Sequence, residues 1–462
     1  MTGRPILTAS EMRRAEQAAM ALGTDAGTLM ERAGRAAAEA IRLFAGPVPA
    51  LVLCGFGNNG GDGYVIARAL REAGVTVRVA ALSEPKTPAA LAARQAWNGP
   101  VEAFAEARPS HLLVDALFGT GLCRALDEAV ACKLSDLAAA ARVKVAVDLP
   151  SGAATDDGSL LSQVPCFDLT ITFAAMKPCH LLQPAASLMG RIVVADVGVT
   201  AESALTRIVR PRLGTPGPAD HKYSRGYVAV LAGEMPGAAA LTASGALRAG
   251  AGYVRLVGKA GSPHLLNAIV VDNGEAEAVL TDSRIGAAAV GPGLGRGASA
   301  SKLLETALTA DVPLVLDADA LAVAGEEGPA LFRRARHTPI LTPHAGEFAR
   351  LFGTLSGSKL EQARQATQAS GSVVVYKGAD TVVAAPDGRA AIAESASHWL
   401  ATAGTGDVLT GVIAAMRASG LHAFEAACAG VWLHGRAATL AGPALIADDL
   451  LLHLRQATAE CL

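Results

Sequence analysis

The chain has 462 residues, 51% hydrophobic but only 4% aromatic, enough for two to three domains with sizeable cores, which excludes a disordered or low-complexity protein. A formal net charge of -2 leaves no electrostatic case for nucleic acid or an anionic membrane surface as partner. Seven cysteines, odd in number and never in a CxxC pair, argue against a disulfide framework or a zinc site and fit a reducing cytoplasm.

The first residues lack an apolar signal core, and no apolar run nears the roughly 18 residues needed to span a bilayer. Thr8 with Glu11, and Thr28 with Glu31, have capping-box spacing. After the second pair, Leu29, Ala33, Ala36, Ala40 and Phe44 recur on one helical face. Strands are predicted at Leu51–Cys54, Val75–Leu82, Leu112–Asp115, Lys144–Asp148, Leu169–Phe173 and Ile192–Val197. Helical stretches such as Gly63–Ala73, Pro88–Trp97 and Leu126–Ala141 separate most of them. Strands alternating with helices imply an α/β fold with a mainly parallel sheet covered on both faces. Ligands bind at the carboxyl ends of such strands.

Three loops follow strand ends: GFGNNGGDG at 55–63, DALFGTG at 115–121 and DLPSG at 148–152. Each alone reads as a tight turn with a capping acid. Three glycine-and-acid loops on one sheet edge point instead to phosphate approach and to oxygen ligands for a hard cation.

In this order the three motifs resemble the NAD(P)H-hydrate epimerase domain, over roughly Thr8 to Val199. The resemblance implies a Rossmann-like three-layer fold, interconversion of the R and S epimers of hydrated NADH and NADPH (NADHX and NADPHX), and a bound potassium ion. It implies substrate contacts from Asn58, Asn59, Gly60, Gly61 and Asp62, from Gly119, Thr120, Gly121, Leu122, Cys123, Arg124 and Ala125, and from Asp148. Potassium falls to Asn59, Asp115 and Ser151. Asp148 is the candidate proton-transfer group, because epimerisation beside a ring nitrogen needs acid–base help. Cys123 offers no evident chemistry and reads as packing.

VRPRLGTPGP at 209–218 reads as an exposed linker. The expected division is 1–210 for the first domain, 211–219 for the linker and 220–462 for the second. There strands are predicted at Tyr227–Leu231, Tyr253–Val257, Ala287–Val290, Leu314–Leu316, Ile340–Leu341, Val373–Tyr376 and Thr381–Ala384. Helices are predicted at Ala238–Ala249, Ala298–Leu308, Glu347–Phe352, Lys359–Ser370, Gly406–Ala418, Ala423–Leu440 and Ala447–Gln456, making a second complete α/β domain.

Polar loops punctuate it: HKYSRG (221–226), GPGLG (291–295), DADAL (317–321), TPHAGEF (342–348) and KGADT (377–381). In LATAGTGDVLTG (400–411), Gly404, Thr405 and Gly406 precede a helix, so backbone N–H groups and the helix dipole can meet one anion. Asp407 then stands in the first turn beside it. These motifs resemble the ribokinase-like three-layer NAD(P)H-hydrate dehydratase domain, from about Ala219 onward. The resemblance implies Asp407 as general base, Lys377, Gly378, Ala379, Asp380, Thr381, Gly404, Thr405 and Gly406 as nucleotide contacts, and Gly293, His344 and Asp407 as substrate contacts. It also implies ADP as phosphoryl donor, Mg2+ and a homo-oligomer. Ala322 after DADAL and the short GEMPG loop at 233–237 depart from the family pattern and bear on fine substrate contacts. The alternatives are a small-molecule kinase of the same superfamily, which would not need the first half, and a non-enzymatic scaffold, which would not need Asp62, Asp115 and Asp148.

Overall fold

The computed structural model of the protein describes residues 3–258, 265–394 and 396–462. The chain divides into two compact units, Pro5–Ser203 and Ala204–Leu462, the second also taking in Gly3 and Arg4. Among the described residues no helix is long and apolar enough to cross a membrane.

The first unit holds seven strands: β1 (Ala50–Cys54), β2 (Val77–Ala81), β3 (Val101–Ala103), β4 (Leu112–Ala116), β5 (Val143–Val147), β6 (Leu169–Phe173) and β7 (Arg191–Ala195). They lie in the order β3-β2-β1-β4-β5-β6-β7, every neighbouring pair parallel. Strand residues alternate between two apolar clusters. Ala50, Val52 and Cys54 pack with the helices Ala26–Ala45 and Asn58–Glu72, while Leu51 and Leu53 pack with the helix Glu128–Ala140. Both faces are therefore covered, as a parallel sheet requires. Order reverses between β1 and β4, whose carboxyl ends carry the 55–63 and 115–121 loops, so these loops flank the switch point where α/β sheets bind ligands.

In the second unit the strands are β8 (Leu205–Arg207), β9 (Tyr227–Leu231), β10 (Tyr253–Val257), β11 (Val270–Asp272), β12 (Ala287–Val290), β13 (Leu314–Leu316), β14 (Ile340–Leu341), β15 (Val373–Tyr376), β16 (Val382–Ala384) and β17 (Ala390–Ile392). Their order is β8-β17-β16-β15-β14-β13-β12-β9-β10-β11, with the short strand Arg4–Pro5 outside β8. From β15 to β11 every pairing is parallel, while β15, β16 and β17 form an antiparallel meander. Val228 and Val230 face a cluster with the helices Pro236–Arg248, Thr405–Ala418 and Ala423–Ala441. Tyr227, Ala229 and Leu231 face the opposite cluster.

Two expectations are corrected. The boundary after residue 210 falls late: β8 pairs in parallel register with β17, Leu205 opposite Ala390, so it belongs to the second sheet. The helix expected to start at Thr28 starts three residues earlier, because the Asp25 carboxylate accepts from Thr28 N (3.0 Å) and is the stronger cap. Glu31 instead pairs with Arg35 and Arg68.

Candidate active sites

In the first unit the three loops converge on Asp148. Its backbone sits at φ +67, a conformation rarely taken by a residue with a side chain, and it is 8% exposed. Thr120 donates to Oδ2 through its backbone N–H (2.9 Å) and its hydroxyl. Thr172 Oγ1 donates to Oδ1 at 3.0 Å. The decisive partner is Lys177, 1% exposed, whose ammonium donates to Asp148 Oδ1 at 2.7 Å, close to Thr172 Oγ1 (2.7 Å) and the Phe173 carbonyl (3.2 Å). Burial opposes the charge on Asp148, but Lys177 and Thr120 outweigh it and hold the carboxyl well below the usual range. His180 completes the floor. Its Nε2 donates to the Asp148 carbonyl (2.8 Å), its Nδ1 accepts from Lys177 N (2.8 Å), and burial pushes it down to about 4.

Asn59 lies opposite. A Cβ on Gly119 would stand 2.8 Å from Asp148 Oδ2 and 3.0 Å from Asn59 Oδ1, so only glycine admits both side chains. Asn59 Nδ2 is buried without a partner, a donor left for something else. Burial, then the charges of Asp148 and Glu16, raise Asp62 well above the ordinary carboxylate range. Asp115 is fully buried and accepts from Leu117 N (3.1 Å), Ser151 N (2.9 Å) and Ser151 Oγ (2.7 Å). Asn58 binds Thr87, its Oδ1 accepting the hydroxyl at 2.6 Å. Gly60 and Gly61 are buried in the first turn of the Asn58–Glu72 helix. Gly121, Cys123, Arg124 and Ala125 are exposed and Leu122 half-buried. Cys123 therefore does not pack, because its loop runs over the surface before Leu126 turns inward.

The second site is built around the start of the helix Thr405–Ala418. Gly404 caps it at φ +86 with no side-chain bond, leaving the first N–H groups open. His434 Nε2 donates to the Thr405 carbonyl (2.9 Å) and burial pushes it down to about 4, so it is a neutral prop. A cavity of about 960 Å³ opens beside this turn. His344, Lys377, Gly378, Ala379, Thr381, Thr405 and Gly406 line it, with apolar walls from Leu409, Val431 and Trp432.

Asp407 is half-buried, and burial first, then Asp317, push its carboxyl up to about 6. Lys377 donates to Asp317 Oδ1 at 2.8 Å, with Glu347 4.0 Å away. Burial works against its charge, but Asp317 and Glu347 hold the ammonium above its usual range. His344 is the N-cap of the helix Ala345–Phe352, accepting from Gly346 N (3.0 Å), while Glu347 accepts from His344 N (2.9 Å). Gly293, Asp380, Gly404 and Asp407 are not among the residues lining this cavity. Asp380 is turned to Lys359, 2.5 Å away, and Gly293 lies under the 233–237 loop, its carbonyl bonded to Met235 N (2.9 Å).

Sequence reasoning missed Lys177, Thr172, His180, Thr410 and His434, and did not assign Asp317 a role. Lysine in the otherwise uncharged run 169–179 was the available signal, since a charge buried there requires a partner.

Two α/β units with mainly parallel sheets, each with a polar site at its strand ends and the second carrying an open, glycine-capped helix start with a half-buried acid, define a two-site α/β enzyme. Residues 228–457 match the family model described as NAD(P)H-hydrate dehydratase, and residues 26–179 match that of the YjeF-related protein N-terminus. The chain is 35% identical to a bifunctional NAD(P)H-hydrate repair enzyme of Escherichia coli K12, over 93% of this chain and 88% of that one. It is 36% identical to the enzyme of that description from Mycobacterium tuberculosis, over 90% and 89%. A crystal structure of an ADP/ATP-dependent NAD(P)H-hydrate dehydratase from Bacillus subtilis, co-crystallised with ATP and Mg2+, is 30% identical with a TM-score of 0.47, covering 54% of this chain and 95% of that one. The chain belongs to the family of bifunctional NAD(P)H-hydrate repair enzymes.

Proposed function

We propose that the first unit interconverts the R and S epimers of NADHX and NADPHX. The second dehydrates the S epimer with ADP as phosphoryl donor, restoring NADH or NADPH and releasing AMP and phosphate. The observation that carries this reading is Asp407, an acid pushed up to about 6 at an open, glycine-capped helix start beside Lys377. A substrate hydroxyl is a poor nucleophile, and a base of that strength takes its proton near neutrality. Backbone N–H groups of Gly404–Gly406 and the Lys377 ammonium stabilise the transferred phosphoryl. Phosphate then leaves with the C–O electron pair, the adjacent ring carbon gives up a proton, and the ring double bond returns. Magnesium enters with the nucleotide and shares its phosphate charge.

At the first site Asp148, kept ionised by Lys177, serves as the base, and Asp62, whose environment pushes it the other way, as the acid. Asn59 Nδ2 offers its open donor to the substrate. Potassium fits Asn59, Asp115 and Ser151. All supply oxygen, burial pushes the Asp115 carboxyl up, and among the described residues it has no lysine or arginine ion pair. The ion would offset that buried charge and hold the 115–121 and 148–152 loops together. We place the enzyme in the cytoplasm, a reading supported by seven free cysteines, and as a homo-oligomer, which light scattering tests. A kinase of the same fold is disfavoured because relatives match across both units.

The test is recovery of reduced-nicotinamide absorbance from mixed R and S hydrates with the protein, potassium, magnesium and ADP. Full recovery is expected. Recovery that halts at the S fraction removes the epimerase, and none with ADP or ATP removes the whole reading.

A further inference from the structure

Asp317 opens the DADAL loop at the carboxyl end of β13 and is 2% exposed. Neither its neighbours in sequence nor the general-base reading gives it a task. Its two oxygens reach two other elements. Oδ1 accepts from Lys377 Nζ (2.8 Å), which follows β15, and Oδ2 accepts from Thr410 Oγ1 (2.7 Å), one turn into the helix Thr405–Ala418. A Cβ built on Gly406 would lie 3.4 Å from Lys377 Nζ and 3.7 Å from Asp317 Oδ2. The ion pair thus underlies the turn that receives the anion, one residue before Asp407.

We infer that Asp317 is the positioning residue of the second site, pinning the Lys377 ammonium under the Gly404–Gly406 turn and placing a fixed like charge beside Asp407. The inference rests on reading Asp407 as the base. The charged groups that act most strongly on Asp407 are Asp317, Lys377, Asp319 and Glu347. Asp319 is taken up by Gly295 N (3.0 Å) and Arg296 (2.9 Å), and Glu347 by His344 N. Of the like charges, Asp317 acts most strongly on Asp407. Without it Asp407 ionises more readily and becomes a weaker base, while Lys377 loses its anchor.

The test is the pH profile of dehydration kcat/KM for Asp317→Asn in the full chain, with the second unit's ADP-dependent melting transition as the folding control. The acid limb is expected to move down by about one pH unit or more. Thr410→Val removes one bond to Asp317 but not its charge, so its limb stays where the wild type has it. If Asp317→Asn does not fold, Asp317→Asn with Lys377→Met leaves no lysine unpaired. A carbon-13 carboxyl NMR titration then compares Asp407 with that of Lys377→Met alone, and the double variant titrates lower. An unmoved limb or titration overturns the inference, as does a Thr410→Val limb displaced as far as that of Asp317→Asn. Asp407→Asn separates the two readings, because if it retains dehydration the base assignment fails whatever Asp317 does.

Discussion

Lys177→Met is the sharpest perturbation of the first unit. The ammonium is 1% exposed and has three oxygen neighbours, Asp148 Oδ1 and Thr172 Oγ1 at 2.7 Å and the Phe173 carbonyl at 3.2 Å. Methionine fills much of the space but leaves the Asp148 charge buried with only Thr120 and Thr172 as donors. Breaking one side of a buried pair costs about 3–5 kcal/mol. For a unit of this size that lowers its melting midpoint by about 6–20 °C at roughly 2–4 °C per kcal/mol. Lys177→Met with Asp148→Asn removes both charges and is expected to lose less than the two single losses added. The sign with pH follows from the depressed Asp148 carboxyl. Its contribution is full above the unfolded value of about 3.9 and fades as acid approaches the folded one. The gap between wild type and Lys177→Met is therefore full at neutral pH and narrows in acid. Calorimetry of the full chain, with ADP shifting the second unit's transition away, measures it. An unchanged first transition with undiminished epimerase activity refutes the argument.

Asp407→Ala should lower dehydration by about 100-fold to 10,000-fold with epimerisation intact, read by assaying the two steps separately. In the wild type, dehydration kcat/KM should rise with pH through about 6 and level above it, because the ionised Asp407 is the active form. Gly119→Ala drives a methyl against Asp148 and Asn59 and should remove most epimerase activity while dehydration of pure S hydrate continues. Replacing potassium with lithium should slow the epimerase alone, and Asp115→Asn should abolish that ion dependence; isotope-free flame photometry of dialysed protein checks the binding itself.

Much of the second unit was legible because its central strands are continuous apolar runs between glycine, proline and acid punctuation. Tyr227–Leu231, Tyr253–Val257 and Val373–Tyr376 form with the predicted limits. Some short strands were not legible: Val101–Ala103, Val270–Asp272, Ala390–Ile392 and Leu205–Arg207 carry too few residues for a period to show, whereas Leu314–Leu316, as short, stood out as a wholly apolar run. The loops that gather at each site were visible as motifs. What locks them was not, since Lys177 is 29 residues from Asp148 and Asp317 is 93 from Thr410, and only the sheet order makes them neighbours. Cys123 shows the opposite error, an apolar-looking residue in a loop with no wall to pack on.

The strand Leu205–Arg207 carries a consequence for anyone who would separate the two activities. A fragment begun at the proline-rich stretch leaves behind the ribbon that seals the rim of Ala390–Ile392, baring main-chain donors and acceptors that recruit other chains. Severed before Ala204, the dehydratase half keeps that ribbon.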